Sequence, residues 1–415
     1  MGLKKNAKKA VKAITTPRMR ESIKKFVFQS SEKLFFYGSE KKNRGLPFGV
    51  NVIGHIRGDF GLGESCRLVA GGLKASDVPF CIINVPLHGP APESNLDWAE
   101  QEQEEYRYSV NLIHLNPSEL AGAIWKLNPS ALKRGYNIAY WLWELPEFPE
   151  DWGYTMEIFD EIWTPAEFVS HAIRRHTDKP VYTMPYGLQT PIIQAELDRS
   201  YFGLPEKEFL FLLSYDGNSV SSRKNPEGAL RAYRKAFPPG TEGVGLVIKA
   251  TNESAAKLKE LQNLLKGCGN VYLLTDSYSK PAFNSLIANV DAYVSLHRAE
   301  GFGLVMAEAM LLGTPVIATN WSANTEFMNE SVACMVDAEI VALDQDCPPY
   351  RKGWHWAQPN EDQAAMWMRK LYEDAAFRNS LTVRAKAHLR ESFSPMCAAQ
   401  KMEKRLLELK NEKII

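Results

Sequence analysis

The chain lacks any apolar run approaching the roughly 20 residues a membrane-spanning helix needs. Its basic N-terminus lacks the apolar stretch and small-residue cleavage site of a secretory signal. Both absences point to a protein that stays inside the cell. Cysteine is sparse and scattered. The six residues, at positions 66, 81, 268, 334, 347 and 397, form no CxxC pair and have no histidine at zinc-finger spacing, so reduced thiols and no structural metal are expected. No period of 20 to 50 residues recurs, which excludes solenoids and propellers. Net charge is absent too, with 49 Lys and Arg against 49 Asp and Glu. The balance is uneven along the chain, however. Residues 1–45 carry 13 Lys and Arg against three Glu, so that segment is +10 and the remainder is −10. A nucleic-acid binder carries its basic face on a folded domain with aromatics interleaved. Here the positive charge sits in a tail, and no nucleic-acid partner is expected.

What is present is enough for two cores. A chain of 415 residues, 45% hydrophobic and 24% charged, has the balance of a globular protein and the length of two domains. From Phe48 onward, short apolar strands alternate with helical patterns: "FGVNVIGHI", then "GLGESCRLVAGGLKAS", then "PFCIINVP" and "YSVNLIHLN". This alternation predicts an α/β fold with a parallel sheet covered on both faces. A second series, from "FLFLLSYDG" to "TPVIATN", predicts another such sheet. The boundaries read as a basic tail over 1–45, a first Rossmann-like domain over 46–195 and a second over 196–385. Helices over 386–415 then cross back onto the first domain. Two doubly wound domains leave a cleft between the carboxyl ends of their strands, where open α/β sheets bind ligands.

The segment "DAYVSLHRAEGFGLVMAEAMLLGTPVIATN" fits one strand–loop–helix–strand unit. It places Glu300 on the loop and Glu308 in the first turns of the helix. Gly301 and Gly303 allow close backbone approach, and the N–H groups at the helix start, at Leu304 and Val305 after Phe302, favour an anion. A carboxylate is a bidentate acceptor suited to vicinal hydroxyls. Glu308 on a ribose, the helix start on a phosphate and Glu300 on a sugar together make a grip for a nucleotide-sugar. The base is expected on the backbone of the loop "LTDSYSK", which includes Thr275.

In these motifs the chain resembles the retaining glycosyltransferases of family 4, group 1 glycosyltransferases with the GT-B fold. The resemblance rests on "EGFGLVMAE", which matches a Glu-x7-Glu motif, and on "AMLLGTPVIATNWSANTEFM", "SYDGNSVSSRKNPEGALRAYRKAF", "NVIGHIRGDFGLGESCRL" and "YWLWELPEFPEDW". It implies transfer of a sugar from a GDP- or UDP-linked donor to a glycan or lipid-linked glycan, with retention and without a metal or other cofactor. It places Lys224 and Arg223 on the donor diphosphate, although many relatives carry an arginine where this chain has Asn218. It also places Gly61 and Gly63 opposite the donor phosphate and His114 near the sugar. Each of these has a plainer reading, as a tight turn that needs glycine or a hydrogen-bonded histidine at a strand end. Trp141 and Trp143 alternate as core residues do, and the sharper alternative makes Trp143 and Glu144 an acceptor platform. Two rival readings are a nucleotide-sugar 2-epimerase and a non-catalytic membrane-associated scaffold.

In the tail, Met19, Ile23, Phe26, Val27, Ser30 and Leu34 fall on one helical face, flanked by Arg20, Lys24, Lys25 and Lys33. Such a helix suits the interface of an anionic membrane, or it docks on the first domain. Peripheral attachment to the inner face of the plasma membrane is the corresponding expectation.

Overall fold

The computed structural model describes residues 22–23, 25–26, 28–30, 45–86, 93–266 and 270–415. The first sheet contains β1 (Val50–Gly54), β2 (Phe80–Asn84), β3 (Val110–His114), β4 (Tyr136–Tyr140), β5 (Glu161–Thr164) and β6 (Val181–Thr183), all parallel, in the order β2-β1-β3-β4-β5-β6. Strands β1, β3 and β4 are buried along their whole length, which is why they read as unbroken apolar runs. Three of the polar residues in them, Asn51, Asn111 and Asn137, stand in register on these three strands and are fully buried. The Asn51 amide donates to Asn111 Oδ1 at 2.9 Å, and Asn111 donates to Asn137 Oδ1 at 2.9 Å. A one-residue slip would break this ladder and strand its amides in the core, so it fixes the register.

The second sheet contains β7 (Phe209–Asp216), β8 (Val244–Thr251), β9 (Val271–Leu274), β10 (Ala292–Ser295), β11 (Val316–Thr319) and β12 (Cys334–Val336), again parallel, in the order β12-β11-β10-β7-β8-β9. The strand order reverses between β1 and β3 in the first sheet and between β7 and β10 in the second. Segments leaving the carboxyl ends of these strands diverge and leave room for a ligand. The helix α1 (Gly61–Lys74) follows β1. The short α5 (Ser221–Lys224) follows β7, after α2 (Pro117–Ala123), α3 (Pro129–Arg134) and α4 (Glu167–Arg174) in the first domain. Helices α6 (Pro226–Ala236), α7 (Ala255–Leu265), α8 (Lys280–Ala288) and α9 (Leu304–Leu312) complete the second wind. The chain is thus the expected pair of doubly wound domains.

One feature falls outside the sequence reading. An antiparallel hairpin of β13 (Ala338–Ala342) and β14 (His355–Pro359) projects from the second domain. Its loop reaches the first domain, where Arg351 pairs with Asp151, and His355 Nδ1 lies 2.7 Å from Glu147 Oε1. The C-terminus does cross back onto the first domain, beginning at Pro395 and not at 386. Helices α10 (Glu361–Glu373) and α11 (Ala375–Ser392) stay with the second domain, and α12 (Pro395–Asn411) packs on α1 of the first.

Among the described residues, no helix is long and apolar enough to cross a membrane. In the tail, Met19, Arg20, Lys24, Val27, Lys33 and Leu34 lie outside the described residues. Phe28, which the proposed apolar face omitted, is buried with its ring 5.2 Å from Tyr154, whereas Ile23, Lys25, Phe26 and Ser30 are exposed. Cys268 also lies outside the described residues, and the other five cysteines are unpaired.

Candidate active site

Glu300 and Glu308 each meet cations of their own, Glu300 with Lys224 and Arg223 and Glu308 with Lys280. Glu300 belongs to the loop after β10, and neighbouring residues hold that loop firmly. Its backbone N–H donates to Ser322 Oγ at 2.9 Å. His297 is fully buried, with Nε2 3.0 Å from Asn324 Oδ1, and Thr319 Oγ1 donates to the His297 carbonyl at 2.6 Å. Ser322 adopts φ 77°, which is unusual for a residue other than glycine and is the kind of local strain that the surroundings must hold in place. The "NWSANTEFM" stretch therefore braces the loop.

The Glu300 carboxylate meets two cations. Lys224 Nζ pairs with it directly, and Arg223 Nη1 lies 3.5 Å away. Burial alone would raise its carboxyl, but Lys224 and Arg223 outweigh that effect and pull it down to about 2. Arg223 is 5% exposed. It donates to the Ala299 carbonyl at 2.7 Å and approaches Glu144 of the first domain at 3.9 Å, while its Nε has no hydrogen-bond partner among the described residues. Asn218 is exposed in the turn after β7, with its backbone N–H on Asp216 Oδ1.

Glu308 faces inward from α9. Lys280 Nζ lies 2.6 Å from its Oε1, whereas its Oε2 is buried with no hydrogen-bond partner among the described residues. Burial pushes this carboxyl up against the pull of Lys280, and Glu64 of α1 adds to the rise. Between the two carboxylates, α9 begins at Gly303, which has φ +96° and offers no side-chain cap. A Cβ there would stand 2.4 Å from Met306 Cε. The conformation favours glycine, whereas the space needs only the end of the Met306 side chain to move, and the first N–H groups, at the half-buried Leu304 and Val305, are left without a side-chain acceptor.

The other residues divide by location. Gly301 packs against the Trp143 backbone, where a Cβ would lie 3.2 Å from the carbonyl oxygen. Phe302 is buried, edge-on to Tyr186 of the first domain at 4.7 Å. Gly63 lies so close to Gly58 that a Cβ would stand 2.1 Å from its carbonyl oxygen, whereas a Cβ on Gly61 would meet nothing within 4 Å. Thr275 is exposed in its loop. His114 is 2% exposed and stacked on Tyr140, with Nε2 2.6 Å from Ser65 Oγ. Burial lowers its imidazole to about 3, so it is neutral at physiological pH.

The aromatic run departs from the expected strand. β4 ends at Tyr140, and residues 141–144 continue as a loop because Leu142 N–H turns to the Asn116 side chain instead of a strand partner. Both tryptophans are core residues. Trp141 is fully buried against Phe159, and Trp143 is ringed by Phe148, Trp152, Tyr350 and Trp354. Glu144 accepts from the Tyr350 hydroxyl at 3.2 Å. Sequence reading missed Lys280, Ser322 and Tyr350. Lys280 was within reach, since it ends the loop already singled out. Beside α5 there is also a groove of about 570 Å³, lined by Ser221, Ser222, Arg231, Lys257 and Arg298 among others. None of the site candidates read from the sequence lines it.

Residues 196–388, the second domain, match the family model for glycosyl transferases, group 1. Comparison by sequence with curated proteins finds no match. Among solved structures, the chain resembles the Anabaena protein Alr3699/HepE in complex with UDP and glucose, at 14% identity and a TM-score of 0.65, covering 87% of this chain and 100% of that one. It also resembles sucrose-phosphate synthase (tll1590) from Thermosynechococcus elongatus, at 14% identity and a TM-score of 0.61, with 88% and 100% covered. A glycosyltransferase from Rickettsia africae ESF-5 matches at 12% identity and a TM-score of 0.61, with 88% and 98% covered. The fold is GT-B.

Proposed function

We propose that the protein is a retaining glycosyltransferase that moves a sugar from a UDP- or GDP-linked donor to a glycan or lipid-linked glycan acceptor. The observation that carries this reading is Glu308 Oε2, a buried carboxylate oxygen without a donor among the described residues, on a helix whose start has no side-chain cap and whose preceding loop carries Glu300 with Lys224 and Arg223. A ribose supplies the missing donors, and a diphosphate fits the helix N-terminus and the two cations. The match to the group 1 family model and the likeness to a protein solved with UDP and glucose support the same reading.

In this mechanism the bond from the anomeric carbon to the diphosphate oxygen breaks and a bond to the acceptor oxygen forms on the same face. The acceptor proton passes to the leaving phosphate. Lys224, Arg223 and the start of α9 stabilise the negative charge that develops on the diphosphate, and Glu300 orients the transferred sugar. His114, neutral and held by Ser65, lies behind the sugar. No step is assigned to a metal, and a chelator should leave turnover unchanged.

The test pairs two variants. Glu308→Ala should weaken nucleotide binding in calorimetry, and Glu300→Ala should chiefly lower donor hydrolysis and transfer. Unaltered nucleotide affinity in Glu308→Ala would overturn the ribose assignment.

The tail supports a second element of the reading, a peripheral site on an anionic membrane that brings the enzyme to a lipid-linked acceptor. Phe28 anchors the helix to the first domain while Ile23, 49% exposed, and Phe26, 72% exposed, stay open beside the exposed Lys25. The full chain should sediment with anionic liposomes at low salt and be released by high salt, since the attraction is partly electrostatic. A chain beginning at Asn43 should stay in the supernatant and still hydrolyse donor. Equal sedimentation of the two would remove the tail from this argument.

A further inference from the structure

One buried cation near the site has no carboxylate partner. Lys249, in the carboxyl half of β8, is 3% exposed. Its ammonium donates to the Asp276 carbonyl at 2.5 Å and lies 4.8 Å from the centre of the Tyr278 ring. No ion pair to it forms among the described residues. An ammonium carries three N–H donors, and the described protein groups accept one. Burying a charge without a counter-ion is costly, and here burial lowers the ammonium to about 8 although Asp276 and Asp216 oppose the fall. A methionine would fill the same space without that cost, so the charge at this position calls for an explanation.

Its position offers one. The carbonyl that Lys249 holds belongs to the loop of residues 275–279, which runs directly into Lys280, and Lys280 meets Glu308. A nucleoside whose ribose sits on Glu308 therefore carries its base beside this loop. We propose that Lys249 reads the base, donating to an exocyclic carbonyl oxygen and so favouring uracil or guanine over adenine, whose amino group is a donor and meets another donor there. The assignment rests on the nucleotide-sugar reading above and goes beyond it by giving base choice to a side chain of β8.

The experiment measures the affinities of UDP, GDP and ADP for the full chain, its Lys249→Met variant and its Lys249→Gln variant. The wild type should bind UDP or GDP at least about tenfold more tightly than ADP, the scale of a buried hydrogen bond to a charged group. Lys249→Met should lose most of that preference through weaker UDP or GDP binding, with its melting temperature held or raised. Lys249→Gln, whose amide can also accept, should narrow the preference by gaining ADP affinity, and it serves as the readout if the methionine variant does not fold. Undiminished discrimination in the folded variants, or a wild-type preference for ADP, would overturn the role of Lys249 and leave the nucleotide site standing. Failure of the wild type to bind any of the three nucleotides would bring down the nucleotide reading itself.

Discussion

At the scale of single residues, Glu300 has a structural role beside the one proposed for it. In the ligand-free protein it is the counter-ion that makes a 5% exposed arginine tolerable, and a bound diphosphate would share that task. Glu300→Gln should therefore destabilise the free protein, by about 3 kcal/mol at neutral pH if the cost is that of breaking a buried ion pair. The sign of the pH dependence follows from its carboxyl, which is held down to about 2 against an ordinary 4.5 by Lys224 and Arg223 in spite of burial. The stabilisation is complete above about 4.5 and is lost as pH falls through about 2. The gap between wild type and variant in urea denaturation should thus be wide at pH 7 and narrow towards pH 2. Equal stability at pH 7 would mean that Glu144 and the Ala299 carbonyl alone satisfy Arg223. The two motif glutamates were legible in the sequence because a single strand–loop–helix unit holds them. The inward turn of Arg223 was not, because a carbonyl 76 positions away sets it.

At the scale of elements, the two glycines that open α1 separate structure from function. Gly63→Ala would drive a Cβ into the Gly58 carbonyl, and the overpacking should cost about 2 kcal/mol. Gly61→Ala opens onto free space and places a better helix former at the first helical position, so its stability should hold or rise slightly. If Gly61 keeps room for the donor phosphate, the same variant should raise the donor KM severalfold. A Gly61→Ala enzyme with unchanged stability and unchanged KM would leave both glycines as turn residues. Strand and helix alternation was readable because parallel strands buried on both faces form continuous apolar runs. The Asn51, Asn111 and Asn137 ladder left a visible trace, an asparagine second in each of three strands, yet its meaning needs the register that aligns them. The β13–β14 hairpin hid for a different reason. Its loop is polar and proline-rich, and the aromatic wall it completes around Trp143 comes from the other domain.

At the scale of the molecule, the return of the C-terminus is one tie between the two halves, beside the hairpin contacts of Arg351 and His355. Helix α12 comes from the second domain, packs on α1 and inserts Arg405 against Glu161 of β5, with Nη2 to Oε2 at 2.7 Å. Glu161 has no exposure at all. It also accepts from the Tyr136 hydroxyl at 3.1 Å and from Trp163 Nε1 at 2.7 Å, and the Arg405 guanidinium lies 4.4 Å from the centre of the Tyr182 ring. Such a pair is expensive to break from one side because the partner left behind stays charged and buried. Arg405→Ala should cost about 3 to 5 kcal/mol on that basis, and the loss should appear first as release of α12. Limited proteolysis should then cut near Phe393 and Ser394 before the sheets unfold, and donor affinity should fall as α1 loses its cover. The double replacement Glu161→Gln with Arg405→Met should be milder, since the glutamine still accepts from Tyr136 and Trp163 and the methionine keeps apolar contact with Tyr182. If the double variant is as unstable as Arg405→Ala, retained packing and relief of the unpaired Glu161 do not restore the helix, and the attraction between Arg405 and Glu161 itself holds α12 in place.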